Sequence, residues 1–525
     1  MKQNILYTVV LSSIFILLEI FFRLTHSSLE NMAKISNYFE IFLVLFALSF
    51  VPKKIATIFI GFLSSIFIIE ILHYNYFGYF LFPMEFILFF TKFHEILETG
   101  STVLHVLIAP IIFSIVLFCT IFYTNKLTQE RLIFNKTKYL LFMIIIFPII
   151  NTTIHYEKRG LGDRPNTNKS IIKNGLYVTK TFLGKTLPLT LLDIQTVPTY
   201  KNDLFKANQN NKISNVILII GESLSIHHMS LYDYPINTTP LLVKLQKNNK
   251  NLIALRVLSA GVFTDISIPM ILNIEKRPNA VTHILSNETN LFKLAKDNHY
   301  NTYFISAQSN DGFSYIRSYM GIKYIDHYID SSNYGYDKYT STLDNILVKE
   351  FTKIDFTKSN FIVLNMIGSH SPYKTRVPQN FRPFKANSTL HNYDNTVSYT
   401  DMIVASIINK IKEKKKKVLL VFTSDHGESI SKNGCGHGNI KNHFHYQVPA
   451  IIYTHKFTLN NDVLQKLQST QFTSHYNLSL LIGHYLGYKT LHNLDTTKAY
   501  IDGNELSGNG GYLEYNLQKN NFLLK

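Results

Sequence analysis

The chain has 525 residues, more than one domain usually needs, and a formal net charge of +17. Such a charge is compatible with a nucleic-acid partner, but the sequence contains no nucleic-acid-binding motif and its apolar residues are concentrated at the front. We therefore expect no nucleic acid as a partner. Membrane lipids are the expected partner instead, because an anionic lipid surface attracts a basic domain.

Five apolar stretches open the chain and predict membrane-spanning helices, over residues 5–22, 39–51, 55–72, 103–123 and 139–150. The first stretch lacks a small-residue cleavage site and is followed by further spans, which disfavours a cleavable signal peptide. Basic residues lie at the N-terminus and in alternate loops, at Lys2, Lys53, Lys54, Lys126, Arg131, Lys136 and Lys138. This asymmetry predicts a cytoplasmic N-terminus and, because the number of spans is odd, an exported C-terminal part.

We expect three parts in the chain: a transmembrane domain over residues 1–152 and two further segments. Residues 153–212 are polar and broken by glycine and proline, and they predict a linker along the membrane surface. Residues 213–525 form the exported domain, whose tail from Gly503 to Lys525 we expect to be partly loose. Of the two cysteines, Cys119 lies in a span and only Cys435 is exported, so the exported domain has no internal disulfide.

Three apolar runs in the exported part are typical of buried parallel strands. The first ends before Glu222, the second before His370, and the third at Asp425-His426. Open α/β sheets place their sites at the carboxyl ends of strands, so these side chains should share one edge. Adjacent residues on a strand point to opposite faces, so Asp425 and His426 can reach one ion only if the chain turns after the strand, and Gly427 supplies that freedom.

A carboxylate and an imidazole together suit a zinc-like or manganese-like divalent ion. Each residue also has a simpler interpretation when it is taken alone. Asp425-His426 can belong to an ordinary loop, Glu222 can be a carboxylate at a helix N-terminus, and His370 can be structural.

The exported part also carries seven ordered motifs: Gly221–Ser225, His228–Tyr234, Asn237–Pro240, Ile367–Pro372, Tyr393–Asn395, Tyr399–Asp401 and Ser424–Ser429. Together they resemble the bacterial phosphoethanolamine transferases, membrane enzymes of the alkaline phosphatase and sulfatase superfamily. The resemblance implies an N-terminal α-helical membrane domain, here of about five spans, and a C-terminal α/β/α sulfatase-like domain. It also implies a multi-pass protein of the bacterial inner membrane with its catalytic domain in the periplasm.

The nucleophile of that family is a threonine between two cysteines. The matching segment here is Ala260–Met270, in which Thr264 takes the place of the nucleophile and Ala260 and Met270 replace the cysteines. A plain helix N-cap is the alternative role for this threonine. Sulfatases need a Cys/Ser-X-Pro-X-Arg motif, which is missing near Thr264, so hydrolysis of sulfate esters is disfavoured.

The resemblance implies further that Glu222, Asp425 and His426, with Thr264 itself, hold an activating divalent ion, zinc in the first place and manganese or magnesium as alternatives. It assigns His370 and His437 to the phosphate or to a second ion. Glu428, beside the metal pair, is expected to orient a ligand. We expect two further histidines, His443 and His445, to lie on the surface.

A segment between the third and fourth spans, Pro83–Glu95, resembles the family helix that lies near the donor head group. Thr91 and Glu95 are four residues apart and share one face of such a helix, where the carboxylate can attract the ethanolamine ammonium. Ile87 occupies the position of a family asparagine, which leaves open an amphipathic interfacial helix with no role in binding.

The resemblance implies a two-step transfer. Thr264 attacks the phosphate of phosphatidylethanolamine, diacylglycerol leaves, and lipid A or the lipopolysaccharide core accepts the phosphoethanolamine group; we expect a monomer. Two alternatives stay open. A phosphoglycerol transferase of the lipoteichoic acid synthase or glucan-modifying type would use phosphatidylglycerol as donor, and an inactive membrane scaffold would use none.

Overall fold

The computed structural model describes residues 1–26, 32–77, 80–83, 85–86, 107–134, 136–155, 168–192, 200, 204–309, 313, 316–337, 340–386, 388–431, 434–503, 505–508 and 511–525. The chain divides into two compact units. One consists of Met1–Ile194 with Ser431–Gly436, and the other of Gln195–Ile430 with His437–Lys525.

The first unit is helical. Its helices are α1 (Lys2–Thr25), α2 (Ile35–Ser49), α3 (Lys53–Phe77), α4 (Ile108–Leu127), α5 (Thr137–Ile154), α6 (Ile171–Thr181) and α7 (Leu187–Leu192), with a π-helical turn between the last two. Three helical stretches within the described residues, Lys2–Thr25, Lys53–Asn75 and Ile108–Leu127, are long and apolar enough to cross a membrane, and α2 is apolar but shorter. The predicted membrane-helix part is thereby confirmed.

Helix α6 lies within the polar stretch predicted as a linker. It begins after Ser170, whose side chain accepts a hydrogen bond from the Lys173 N–H at 3.2 Å. The backbone N–H of Ile171 donates to Glu19 Oε2 at 3.2 Å, and Glu19 also pairs with Arg23 at 2.8 Å. These buried charges of α1 therefore have structural partners, since a charge inside an apolar bundle is stable only when it is paired.

The second unit contains an eight-stranded sheet in the order β10-β2-β9-β6-β1-β5-β3-β4. All neighbours pair in parallel except β9, which is antiparallel to β2 and β6. The strands are β1 (Asn215–Gly221), β2 (Leu252–Leu258), β3 (Asn301–Ser306), β4 (His327–Ile329), β5 (Asn360–Asn365), β6 (Val418–Ser424), β9 (Gln447–His455) and β10 (Thr473–Ser474); β7 (Ser429–Ser431) and β8 (Gly434–Gly436) lie outside this sheet.

Helices cover the sheet on both faces. Every residue of β1 is buried, and alternate residues of a strand face opposite sides, so neither face of β1 meets solvent. This is the α/β/α arrangement that the continuous apolar runs predict. The helices of this unit are α8 (Pro240–Asn248), α9 (Thr264–Leu272), α10 (Val281–Ser286), α11 (Leu291–Asp297), α12 (Asn345–Lys353), α13 (Thr389–Lys412), α14 (Asn461–Gln468) and α15 (His475–Tyr485).

Helix α13 carries two of the family motifs and uses them to hold the fold. Asp394 accepts a hydrogen bond from the Tyr234 hydroxyl at 3.2 Å and lies 3.1 Å from His228 Nδ1. Further along the same helix, Asp401 accepts the backbone N–H groups of Leu241 and Leu242 at 2.9 and 2.8 Å. These residues brace the fold of the second unit.

The C-terminal tail is ordered into a three-stranded antiparallel sheet of β11 (Lys498–Asp502), β12 (Tyr512–Asn516) and β13 (Asn521–Leu524). The expectation of a partly loose tail was wrong over the described residues. Leu513 and Tyr515 of β12 are buried in an apolar cluster with Ile501 of β11, which the Asn- and Gly-rich composition does not reveal.

Strand register brings the ends of β1, β5 and β6 to the same edge. Gly221 is level with Ser424, and Ile220 is level with both Asn365 and Thr423. The residues that follow these strands therefore emerge side by side, which is the arrangement on which the site depends.

Candidate metal and nucleophile site

Two strand ends deliver three buried ligand-type side chains to one point. Glu222 follows β1, and Asp425 and His426 follow β6. One ligand atom of each residue lies within 4.8 Å of the other two, with His426 Nε2 at 3.3 Å from Glu222 Oε1 and 3.5 Å from Asp425 Oδ2. The structure brings these three residues together as a group that could hold a metal ion.

The hydroxyl of Thr264 meets all three. Its Oγ1 lies 2.6 Å from Asp425 Oδ2, 3.2 Å from Glu222 Oε2 and 3.3 Å from His426 Nε2. Thr264 is the first residue of α9, so the positive end of that helix points at the same place. A hydroxyl, two carboxylates and an imidazole therefore converge beside a helix N-terminus, where phosphate groups bind readily.

Neighbouring groups set the orientation of the two carboxylates. Asp425 Oδ1 accepts the backbone N–H groups of His426 at 2.7 Å and Ser223 at 3.1 Å. Glu222 Oε1 accepts from the Ser223 hydroxyl at 2.8 Å, and Ser223 adopts a left-handed φ of 56° in this turn. The second oxygen of each carboxylate, Glu222 Oε2 and Asp425 Oδ2, faces Thr264.

Gln308 is a site residue that the sequence analysis missed. Its Nε2 donates to Glu222 Oε2 at 3.0 Å and to the Met366 carbonyl at 2.8 Å. Gln308 follows β3, which lies next to β5 in the sheet. The sequence could have indicated this residue only if β3 had been recognised as a fourth strand that ends in polar residues at the same edge. That run, Asn301–Ser306, mixes polar and apolar residues and resembles a buried strand less closely.

Two glycines permit close backbone approach at this edge. A Cβ on Gly368, which has a φ of +48°, would lie 2.9 Å from both the N and the O of Glu222. A Cβ on Gly427 would lie 2.1 Å from the Phe444 carbonyl oxygen. The predicted role of Gly427 is thus corrected, because this residue does not adopt a left-handed φ and is needed for space.

The electrostatics of the cluster favour a cation. Burial, together with the charge of Glu222, raises the pKa of Asp425 to about 7. Burial lowers the pKa of His426, but the Asp425 and Glu222 carboxylates outweigh it and raise that pKa to about 10. Burial likewise acts to raise the pKa of Glu222, yet the His426 hydrogen bond and charge hold it below its ordinary value. Two buried carboxylates thus share one positive charge, and this donor set fits a divalent ion of the zinc or manganese kind.

A second group adjoins the first through His426. His437 Nδ1 lies 3.0 Å from Glu428 Oε2, and the Tyr373 hydroxyl donates to Glu428 Oε1 at 2.8 Å. The rings of His426 and His437 are 4.0 Å apart, and these two histidines with Glu428 form another set of possible metal ligands. Burial raises the pKa of Glu428 to about 7, although the charge of His426 opposes it.

His370 lies beside both groups. A positive charge on its ring would lower the pKa of the Glu222 carboxyl and of the Glu428 carboxyl. Arg376 holds the loop that carries it, donating to the His370 carbonyl at 3.2 Å and to the Ser371 carbonyl at 2.9 Å.

The two remaining histidines differ. His443 is exposed, as expected, but His445 is completely buried, which overturns the surface interpretation for that residue. His445 Nδ1 accepts the Asn439 N–H at 2.9 Å and its Nε2 lies 3.0 Å from the Ser429 hydroxyl, so the ring braces the loop. Thr91 and Glu95, predicted for the donor head group, lie outside the described residues.

Comparisons with known proteins place these observations in a family context. A model described as Sulfatase matches residues 214–488. Phosphoethanolamine transferase EptA of Helicobacter pylori is 29% identical over 319 residues, which are 56% of this chain and 57% of that protein. Phosphoethanolamine transferase EptC of Escherichia coli K12 is 27% identical over 275 residues, 48% of this chain and 46% of that protein. The chain thus spans about half the length of the curated relatives it matches.

One solved structure is similar over nearly the whole chain. It is the integral membrane protein lipooligosaccharide phosphoethanolamine transferase A (EptA) from Neisseria meningitidis, with a TM-score of 0.56, 18% identity, and coverage of 92% of this chain and 95% of that one. At this identity the likeness concerns the fold alone, that of a helical membrane part with a sulfatase-like part.

Proposed function

Because the chain belongs to the sulfatase family, whose model covers residues 214–488, we propose that it is a metal-dependent phosphoethanolamine transferase. Phosphatidylethanolamine is the donor, and lipid A or the lipopolysaccharide core is the acceptor. One observation carries the proposal: the Thr264 hydroxyl lies between 2.6 and 3.3 Å from the ligand atoms of Glu222, Asp425 and His426. The names of the curated relatives, which are phosphoethanolamine transferases, support the choice of the transferred group.

In this proposal, Thr264 attacks the phosphorus of the donor. Its hydroxyl proton is directed at Asp425 Oδ2, 2.6 Å away, so that carboxylate is placed to receive it as the oxygen–phosphorus bond forms. The bond from phosphorus to the diacylglycerol oxygen breaks, and diacylglycerol leaves with the proton that Asp425 received from Thr264. Glu222, Asp425, His426 and Thr264 would hold zinc or a similar divalent ion, which would neutralise charge and lower the pKa of the hydroxyl.

The second half of the reaction regenerates Thr264. A hydroxyl or phosphate of the acceptor attacks the phosphorus of the phosphoethanolamine-threonine and gives up its proton, the bond from phosphorus to Thr264 Oγ1 breaks, and the proton restores the threonine hydroxyl. His437 and His370 bind the phosphate oxygens or a second ion, and Glu428 holds the His437 ring in place through its 3.0 Å contact with Nδ1. Splitting the transfer into two displacements lets one site serve the donor and then the acceptor.

We further propose that residues 1–152 cross the bacterial inner membrane, 153–212 follow its surface, and 213–525 form a monomeric catalytic domain in the periplasm. The three described helical stretches long enough to cross a membrane support this arrangement. Thr91 and Glu95 are proposed to contact the donor head group, which brings the lipid to the exported site.

The nucleophile is tested by incubating the protein with phosphatidylethanolamine and mapping the adduct by mass spectrometry. A phosphoethanolamine mass is expected on the peptide that contains Thr264, together with release of diacylglycerol. Thr264→Ala should abolish both, whereas Thr264→Ser keeps a hydroxyl and should retain some adduct. An adduct on Ser223 or Ser267 would show that a different hydroxyl reacts.

Donor and acceptor are tested separately. Phosphatidylglycerol, offered in place of phosphatidylethanolamine, should give no adduct; an adduct from that lipid alone would indicate a phosphoglycerol transferase. Mass spectrometry of the lipid A and core fractions from cells with and without the protein should then show phosphoethanolamine on one of them.

A further inference from the structure

The segment that leads into Thr264, residues 259–262, forms a loop that we call the nucleophile loop. Each of its four backbone N–H groups has an acceptor. Three of these acceptors are oxygens: the Tyr446 carbonyl for Ser259 at 2.9 Å, the Ser267 hydroxyl for Gly261 at 3.0 Å, and the Asp502 carbonyl for Val262 at 3.2 Å. The fourth is a ring nitrogen, because the Ala260 N–H donates to His475 Nδ1 at 3.1 Å.

The contacts of His475 determine its tautomer. Nδ1 accepts a hydrogen bond from an amide, so in the neutral ring the proton is on Nε2. Nε2 lies 3.1 Å from Thr423 Oγ1 and donates to it, while the Thr423 hydroxyl donates in turn to the Pro449 carbonyl at 2.9 Å. The side chain is 1% exposed, and burial lowers the pKa of His475 to about 3. The ring is therefore neutral near pH 7.

These hydrogen bonds join the nucleophile to the strand that carries its metal ligands. Ala260 lies four residues before Thr264, and Thr423 lies two residues before Asp425. The 2.6 Å contact between the Thr264 hydroxyl and Asp425 thus depends on two segments that His475 links directly. We infer that His475 is a positioning residue, which sets the distance of the Thr264 hydroxyl from the Asp425 carboxylate without touching the substrate. This inference rests on the proposed function of Thr264.

No disulfide can join the two positions that flank the nucleophile, because Ala260 and Met270 stand where the related family carries cysteines. The buried Ala260 N–H has His475 as its acceptor, so loss of the ring would leave that N–H without a partner and release the loop from β6.

The test compares His475→Leu with His475→Gln in the full-length protein. Glutamine offers one acceptor and one donor in place of the two ring nitrogens, whereas leucine offers neither. Because displacement of a reacting group by about 1 Å costs roughly 100-fold in rate, His475→Leu should lower the rate constant for adduct formation on Thr264 by about 10- to 100-fold. Bound metal and the KM for the lipid donor should stay at wild-type values, and His475→Gln should restore most of the rate with an unchanged pH profile.

Hydrogen exchange of the peptide covering 259–264 gives a second readout that needs no activity. His475→Leu should exchange faster there than the wild type and His475→Gln. If His475→Leu does not fold, Thr423→Val, which removes the acceptor of the Nε2 proton together with the donor to Pro449 but keeps the bond from Ala260 to His475, should give a smaller change in the same direction.

Three outcomes would contradict either the positioning role of His475 or the proposed function. Wild-type rate and exchange in His475→Leu would overturn the inference. Loss of one limb of the pH profile in His475→Gln would also overturn it, because it would make the ring an acid or base. A wild-type protein that forms no adduct would contradict the proposed function, while the exchange data would still decide whether His475 holds the loop.

Discussion

At the scale of single residues, the geometry of the site depends on hydrogen bonds that orient the Glu222 and Asp425 carboxylates. Glu222 and Asp425 each use one oxygen for orientation and keep the other near Thr264. Gln308 adds a donor at 3.0 Å from Glu222 Oε2. Groups that orient a metal ligand commonly influence metal affinity, so their removal should change the measured dissociation constant.

Removal of the Gln308 amide should weaken metal binding. Gln308→Leu keeps the size of the side chain but deletes the donor to Glu222, and loss of such an orienting partner typically lowers metal affinity roughly 10- to 100-fold. Competition with a chromophoric chelator measures the dissociation constant. Gln468→Leu, at an exposed position of α14, is the matched control and should bind as the wild type does. Equal affinity in the two variants would exclude an orienting role for Gln308.

Replacement of His475 should change the pH dependence of stability. In the folded protein burial lowers the pKa of His475 to about 3, whereas in the unfolded chain it is near 6.5. Between these two pKa values the unfolded chain binds a proton on His475 that the folded protein does not bind. The stability that comes from burying the neutral ring is therefore fully present above pH 6.5. It is lost as the pH falls below that value, by up to about 1.4 kcal/mol per pH unit.

Thermal denaturation at pH 7.5 and 5.0 checks this sign. The melting temperature of the wild type should fall more on acidification than that of His475→Gln, which cannot titrate. His492→Gln, an exposed position, serves as the control and should follow the wild type. Parallel falls in all three proteins would show that His475 does not contribute.

At the scale of elements, one helix of the second unit, α8, is capped by a side chain from another helix. Helix α8 has Thr239 at its N-cap without a side-chain hydrogen bond. Asp401 of α13 accepts the N–H groups of Leu241 and Leu242 in its place. One carboxylate therefore satisfies the first turn of α8 and fixes α8 against α13.

Loss of this carboxylate should destabilise the second unit. Asp401→Ala leaves two N–H groups of the first turn of α8 without an acceptor, at a cost of about 1–2 kcal/mol in the free energy of unfolding. Urea denaturation followed by tyrosine fluorescence measures it. Asp462→Ala, in the exposed first turn of α14, should cost much less. A similar loss for both variants would contradict a special role for the Asp401 cap.

At the scale of the whole molecule, the site is assembled from segments far apart in the chain. Glu222, Thr264, Gln308 and Asp425 come from four different parts of the sequence and meet at one sheet edge. Without a cation this edge concentrates buried negative charge, which only His426 offsets within the group. Metal binding and folding of the second unit should therefore be coupled.

Removal of the metal should lower the melting temperature of the second unit. Readdition of zinc at roughly 100 times its dissociation constant should stabilise the folded state by about 2.7 kcal/mol. Calorimetry before and after chelation measures the change, with metal content determined in parallel. Asp425→Asn should bind little metal and show no such gain. Full stabilisation of Asp425→Asn by zinc would place the ion elsewhere.

Much of this architecture is predictable from local pattern. Long apolar runs identify the three described helical stretches of the first unit that could cross a membrane, and shorter continuous runs identify β1, β5 and β6, because each pattern reflects what its element must bury. The same runs point to Glu222, Asp425 and His426 through their positions just past strand ends. Their function as metal ligands remains a proposal. Gln308 and the buried ring of His445 were not identified, since the surrounding sequence has no distinctive period.

The sequence by itself determined the two-part organisation, the strands β1, β5 and β6 and the ligand-type residues that follow them, because these follow from apolar patterning and order along the chain. Its resemblance to a known family singled out the Thr264 hydroxyl. Tertiary structure alone decided which groups touch. Strand register places Gly221 level with Ser424, the Ala260 N–H meets His475 across 215 positions, and Asp401 caps a helix from 160 positions away. Such contacts depend on the order of strands in the sheet and on the packing of helices, and neither leaves a periodic signal in the local sequence.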